Sequence, residues 1–296
     1  MKLGIIADAH LSPAGTSFPS VLGFPSVPTE YAMSDVMVRY RLALRWCARG
    51  DVDGVVLLGD LSQSGDGRSL EAGVRLAAKT GRTVWAVSGN HDCGERVEAL
   101  ARAVRWVGAD NVRLATPEGE VVGAGGPRTA GLCVTSENRG YTARSDGRFD
   151  ILGWKDDPVV WLTHYPMISF AERASRAGLH YGDNDLEDLE EVAPPLLDRP
   201  APTVVVSGHM HMRYTCAVGK VLQISCAALT EPPFEITFLA FETEGDRMAV
   251  RIECVPVVPS PNVRLPVLSP PQQEWIFEAG AWCSVGSAEP RKEAAK

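Results

Sequence analysis

The sequence predicts an α/β fold in which a β-sheet is covered by helices. Three observations carry that expectation. Short apolar, largely β-branched runs recur along the chain, among them Gly54-Val55-Val56-Leu57-Leu58 and Thr203-Val204-Val205-Val206, each too short for a helix. Residues Gly, Asp or Asn close many of these runs, as turn formers do at strand ends. Segments with apolar residues at helical spacing separate the first few runs, so residues 2–107 read as β-α-β-α-β-α.

Residues 2–7 form the first buried strand by length and branching. The stretch 11–29 is rich in Pro, Ser and Gly, and its prolines at 13, 19, 25 and 28 exclude a helix. It is either a rim over the residues it leaves from or an ordinary surface excursion. A helix is predicted over 34–49, with Ser34 as N-cap and Val36, Tyr40, Leu44 and Cys47 on one face. Strands at 54–58 and 83–87 then alternate with helices at 69–79 and 95–107. Short strands with Gly-Pro breaks are expected from 111 to 137, and polar irregular chain over 138–157. A strand at 158–163, an acidic helix at 183–197 and a strand at 203–206 follow. Short strands are expected at 214–218, 221–225, 234–241 and 248–255. Beyond residue 255 the chain is Pro-rich, which divides it into a domain over 1–255 and an extension over 256–296. That extension carries the apolar patch Trp275-Ile276-Phe277 and a polar end expected to be disordered.

The 296 residues, 45% hydrophobic and 22% charged, have the make-up of a globular protein large enough to bury a substantial core. No stretch approaches the roughly 18–20 apolar residues of a membrane span, and the opening segment lacks a signal-peptide layout, so a cytoplasmic protein is expected. A net charge of -8 argues against indiscriminate nucleic-acid binding. The 7 cysteines include no C-x-x-C pair, so neither a disulfide framework nor a zinc ribbon is indicated.

Chemistry concentrates in four short pieces holding all but one of the 6 histidines: Asp8-Ala9-His10, Gly89-Asn90-His91-Asp92, Thr163-His164 and Gly208-His209-Met210-His211. Gly59-Asp60 lies between the first two. Each piece ends an apolar run, which gathers oxygen and nitrogen donors at strand ends with no thiolate among them. Asp8 and His10, and likewise His209 and His211, are two apart, so in extended chain both members of each pair project to one side. Asp60 has two carboxylate oxygens with which to bridge two cations; Asn90 offers a carbonyl oxygen and His164 an imidazole. Two cations roughly 3.5–4 Å apart clamp the attacking and leaving oxygens of a phosphoryl displacement around a shared hydroxide. His91 is left over as general acid to the leaving oxygen or as a cationic stabiliser. Asp92 either orients that imidazole or caps a loop. His180, beside Tyr181, reads as a packing or surface residue; Arg139, Tyr141 and Arg144 are either solvated or in contact with substrate. Tyr165 is a candidate for lining the pocket, and the segment 231–235 reads by default as edge-turn structure, with lining of the site as the alternative.

In this order, D-x-H, G-D, G-N-H-D, H and G-H-x-H resemble the calcineurin-like metallophosphoesterase superfamily, and the likeness spans residues 5 to about 211. The resemblance implies a four-layer αββα sandwich: two mixed β-sheets face to face with helices outside. It implies one metal on Asp8, His10, Asp60 and His211, a second on Asp60, Asn90, His164 and His209, and His91 as the catalytic histidine. Many relatives carry Asp three residues after the bridging carboxylate; Gln63 stands there. Altered bonding behind the ligands, or altered substrate contact, is therefore expected, with the metals retained.

A metal-dependent phosphohydrolase follows, resembling the bacterial cyclic-nucleotide and glycerophosphodiester phosphodiesterases, with a small phosphate ester as substrate. Phosphomonoesterase or nucleotide pyrophosphatase activity is the alternative within the enzyme class. A non-catalytic metal-binding scaffold is the alternative outside it. The donor set favours two divalent or mixed-valence ions drawn from Mn, Fe and Zn. Oligomeric state is not readable from the sequence.

Overall fold

The computed structural model describes residues 1–12, 36–93, 98–121, 126–132, 156–179, 185–245, 247–260 and 265–285. The Pro-rich stretch beyond residue 12, the Ser34 cap, Arg139, Tyr141, Arg144, His180, Tyr181 and the polar end lie outside the described residues.

Strands β1 (Lys2–Ile6), β2 (Gly54–Leu58), β3 (Thr83–Val87) and β4 (Val112–Leu114) pair in parallel. Parallel neighbours need crossovers, and helices supply them. These are α1 (Val36–Arg49), α2 (Gly67–Ala78), the single turn α3 (Asn90–Cys93) and α4 (Ala99–Val107). Helix α2 starts at Gly67, two residues before the predicted start, behind the N-cap Asp66, whose carboxylate accepts from the Ser69 amide at 2.9 Å. A second sheet holds β5 (Glu120–Val121), β6 (Arg128–Leu132), β7 (Val159–Thr163), β8 (Thr203–Ser207), β9 (Tyr214–Val218) and β10 (Val221–Ser225), in the order β5-β6-β7-β8-β10-β9. Helices α5 (Ala171–Arg176) and α6 (Leu189–Leu197) lie between β7 and β8 in the chain.

The chain then returns to the first sheet. β11 (Glu235–Glu244) and β12 (Arg247–Pro256) are followed by β13 (Gln272–Glu278) and β14 (Ala281–Val285), giving the order β14-β13-β12-β11-β1-β2-β3-β4. The Pro-rich extension thus contributes two strands to the sheet begun by β1, and the apolar patch at 275–277 is the middle of β13, paired with Met248–Val250 of β12.

Alternation along each strand builds the layers. Leu3, Ile5, Val56, Leu58, Trp85 and Val87 face Val160, Leu162, Val204, Val206, Leu222 and Ile224 in one buried cluster between the sheets. Their neighbours Ile6, Val55, Leu57, Val84 and Ala86 pack outward on Tyr40, Leu44, Leu70, Val74 and Leu100 of the helices. On the far side, Val159, Trp161 and Val205 pack on Val192 and Leu196 of α6. The expected αββα sandwich is therefore present, with both sheets mixed. No helix among the described residues is long and apolar enough to cross a membrane.

Gly54 sits where this packing is tightest, because a Cβ there would come 2.1 Å from the Trp85 ring. That ring is buried, its Nε1 donates to Glu120, and the Arg113 guanidinium lies over it at 5.6 Å, so it has little room to move. Gly54→Ala is expected to destabilise the fold by about 1–3 kcal/mol, read as a lower urea midpoint at unchanged slope. Gly67→Ala, whose added methyl meets nothing within 4 Å, should leave the midpoint near wild type.

Candidate metal centre

The predicted donors all follow the C-terminal ends of strands, where the two sheets lie against each other. Asp8 and His10 follow β1, Asp60 follows β2, Asn90 and His91 follow β3, His164 follows β7, and His209 and His211 follow β8. The first two loops continue side by side past their strands, through His10 N to Asp60 O (2.8 Å), Leu11 N to Leu61 O (2.8 Å) and Gln63 N to Leu11 O (2.9 Å). Within the second sheet the Gly208 amide donates to His164 O at 3.0 Å, and across the sheets the His209 amide donates to the Asp8 carboxylate at 3.0 Å.

These residues converge into groups whose donor atoms lie within 4.8 Å of one another: Asp8, His10 and His211; Asp60, His164 and His209; and His10, Asp60 and His91. Asp60 stands between the first two groups. Its Oδ2 is 3.7 Å from His10 Nε2 and 3.2 Å from His164 Nε2. Asn90 Oδ1 joins the second group at 3.1 Å from His164 Nε2. In the first, His10 Nε2 and His211 Nε2 face each other at 3.2 Å, and His211 Nε2 is 3.4 Å from Asp8 Oδ1.

The local backbone differs from the extended pairs expected. Asp8, His10, Asp60, His209 and His211 all have left-handed φ, between 46° and 65°. The pairs two apart do reach one site, but through bends rather than strand alternation. Left-handed backbone at a non-glycine residue costs about 1 kcal/mol or more, and persists only where its surroundings hold it. The glycines have a steric cause. A Cβ on Gly59 would lie 2.1 Å from the His164 ring, and one on Gly89 would lie 2.1 Å from Asp60 Oδ1.

Hydrogen bonds on the outer side fix three of the imidazoles. The carbonyl of Leu58 can only accept, so His164 Nδ1 donates to it at 3.2 Å and presents Nε2 to the site. His10 Nδ1 meets Gln63 Oε1 at 2.8 Å, so the residue that departs from the family pattern supports a ligand. His91 Nδ1 donates to Gln63 O at 2.8 Å. His211 Nδ1 lies within ion-pair distance, 3.2 Å, of Oε2 of the buried Glu231, in the segment 231–235. Tyr165 is wholly buried and packs its ring on His209 at 4.0 Å between centroids, behind the donors rather than lining an open pocket.

Asp92 needs a correction. Its Oδ1 accepts from the Ser62 amide at 2.8 Å and its Oδ2 from the Gly89 amide at 3.1 Å, while His91 Nδ1 is held by Gln63. Neighbours in a helical turn such as α3 do not face each other, so Asp92 ties two loops together and does not orient His91. Burial, with the charge of Asp60, pushes Asp92 up to about 7.

Electrostatics and unmet valence both fit cations. Burial drives His10 and His209 below the ordinary imidazole range. Burial works against protonation of His164 and His211 as well, but Asp60 lifts His164 to about 9 and Asp8, with Glu231, lifts His211 to about 10. Burial would likewise raise Asp60; His164, His91 and His10 outweigh it and hold the carboxylate well below its usual range. Carboxylates and imidazoles are thus buried together in a donor set whose protonation couples to cation binding. His209 Nε2 is buried with no hydrogen-bond partner among the described residues, and a cation would satisfy its lone pair. The residues present therefore fit a dinuclear divalent centre.

Residues 1–213 match the calcineurin-like phosphoesterase family. Among solved structures, the chain is similar to a dimetal phosphatase from Danio rerio, with a TM-score of 0.59 at 14% identity, covering 87% of this chain and 96% of that one. It is also similar to the protein TT1561 of Thermus thermophilus, with a TM-score of 0.52 at 12% identity, covering 87% of this chain and 99% of that one. At such identities the structural likeness is one of fold. The family match is independent of it, and it takes in every predicted donor from Asp8 to His211. This chain belongs to the calcineurin-like phosphoesterase family and is a metal-dependent phosphoesterase.

Proposed function

We propose that the chain is a phosphodiesterase of small molecules, of the branch that includes the cyclic-nucleotide and glycerophosphodiester phosphodiesterases, working with two Mn, Fe or Zn ions. Asp8, His10, Asp60 and His211 would hold one ion, and Asp60, Asn90, His164 and His209 the other. When bound, such ions neutralise phosphate oxygens and lower the pKa of water towards neutrality.

The observation that carries the reading is the exposure of His91. Asp8, His10, Asp60, Asn90, His164, His209 and His211 are all buried, whereas His91 is only half-buried. Its ring stands edge-on to His10 at 4.8 Å between centroids, and its Nδ1 hydrogen is engaged by Gln63 O. With Nδ1 so engaged, proton transfer to substrate would run through Nε2. From the imidazolium it hands a proton to the leaving oxygen and returns to the neutral tautomer that Gln63 O already favours. The Asp60 carboxylate accepts from the His91 amide at 2.9 Å, so the acid is registered to the residue at the centre of the donor set.

The diester reading rests on the likeness of the motif set to the cyclic-nucleotide and glycerophosphodiester phosphodiesterases. The net charge of -8 supports a small substrate over nucleic acid.

With added Mn²⁺, the protein is expected to turn over bis-p-nitrophenyl phosphate faster than p-nitrophenyl phosphate; turnover of the monoester alone would rule out the diesterase reading. His91→Ala should lower kcat by roughly 10²–10⁴ on a diester with an alkoxide leaving group, such as cyclic AMP, with metal content retained. The loss should be smaller for bis-p-nitrophenyl phosphate, whose phenolate departs with little help. Equal losses on both would mean that His91 is not the acid.

A further inference from the structure

Glu231 lies beyond residues 1–213, in the connection from β10 to β11, and yet it reaches into the centre. It is 5% exposed, with Oε2 at 3.2 Å from His211 Nδ1. The opposite nitrogen of that ring faces Asp8 and His10. The outer partners of His10 and His164 are neutral, the Gln63 amide oxygen and the Leu58 carbonyl. Of these three rings, His211 is the one backed by a carboxylate.

The backbone that carries Glu231 is tied to the centre. Leu229 N donates to Ala7 O at 3.0 Å and Thr230 N to Asp8 O at 3.2 Å, so the segment runs along the loop that bears the first two donors. On its other side, the buried Arg39 of α1 donates to Thr230 O at 3.3 Å and stacks over the Phe234 ring at 4.5 Å. Phe234 N closes the turn onto Glu231 O at 2.7 Å.

We propose that Glu231 is a positioning residue for one half of the dinuclear centre, the half formed by Asp8, His10 and His211. Its carboxylate, in ion-pair contact with Nδ1 of His211, favours the hydrogen on that nitrogen, leaves the Nε2 lone pair to the metal side, and places an acid behind that half. The inference rests on the dinuclear reading given above. It makes the two halves unequal through a residue outside the family-matched region.

The test is a calorimetric Mn²⁺ titration of the metal-free, full-length protein, wild type against Glu231→Ala and Glu231→Gln. Wild type should take up two ions. In Glu231→Ala one step should weaken by roughly 10–100-fold and the other should stay within about twofold. Glu231→Gln, which keeps an acceptor in place and is close in shape, should fall between the two and decides the matter if the alanine variant does not fold. Placed in a His209→Ala background, the substitution should still weaken the remaining step; in a His10→Ala background it should not. Two unchanged steps, or two steps weakened equally, would overturn the role of Glu231. A wild type that binds neither Mn²⁺ nor Zn²⁺ is a different result, and overturns the dinuclear reading itself.

Discussion

One oxygen atom of Asp60 lies between an imidazole from each half of the site, 3.7 Å from His10 Nε2 and 3.2 Å from His164 Nε2. Remove that shared carboxylate and two separate ligand sets remain, each short of charge and with no reason to hold their ions at the spacing that clamps a phosphate. Much of the local structure serves to place it. Gly59 has no side chain because His164 occupies the space, Gly89 has none because Asp60 does, and the His91 amide holds the other carboxylate oxygen at 2.9 Å. The buried imidazoles keep the group ionised where burial alone would protonate it.

The centre is locally expensive in conformational terms. Five of its residues have left-handed backbone, and several charged or polar side chains are buried together. What holds it is the sandwich beneath. The cores between the sheets and under the helices anchor β1, β2, β3, β7 and β8 on both faces, so the loops at their ends start from fixed points. Asp92 and Gln63 then join those loops to one another, Asp92 through the Ser62 and Gly89 amides and Gln63 through His10 and His91. Rigidity at the strand ends is what lets the site keep geometry that isolated loops would relax.

Much of this was legible because strand ends and donors coincide in the chain. The β-branched runs at 54–58, 83–87, 214–218 and 221–225 are strands over those residues, each closed by a turn former or a change of pattern. Each histidine that follows such a run converges on the site. Three things were not legible, for distinct reasons. The pairing of β13 with β12 is made across a Pro-rich connection, so an apolar patch at 275–277 carries no local sign of its partner. Asp92 is next to His91 in sequence, but one residue of helical turn points it elsewhere. Glu231 is a single acid in a Pro-rich turn, without periodicity, and its meaning arises only when the fold brings it to His211.

The claim that Asp60 turns two metal positions into one centre is tested most directly by electron paramagnetic resonance of the Mn²⁺-loaded protein. A carboxylate-bridged pair predicts an exchange-coupled multiline spectrum that gives way to the pattern of isolated ions in Asp60→Asn. A wild-type spectrum of isolated Mn²⁺ ions at full loading would contradict it.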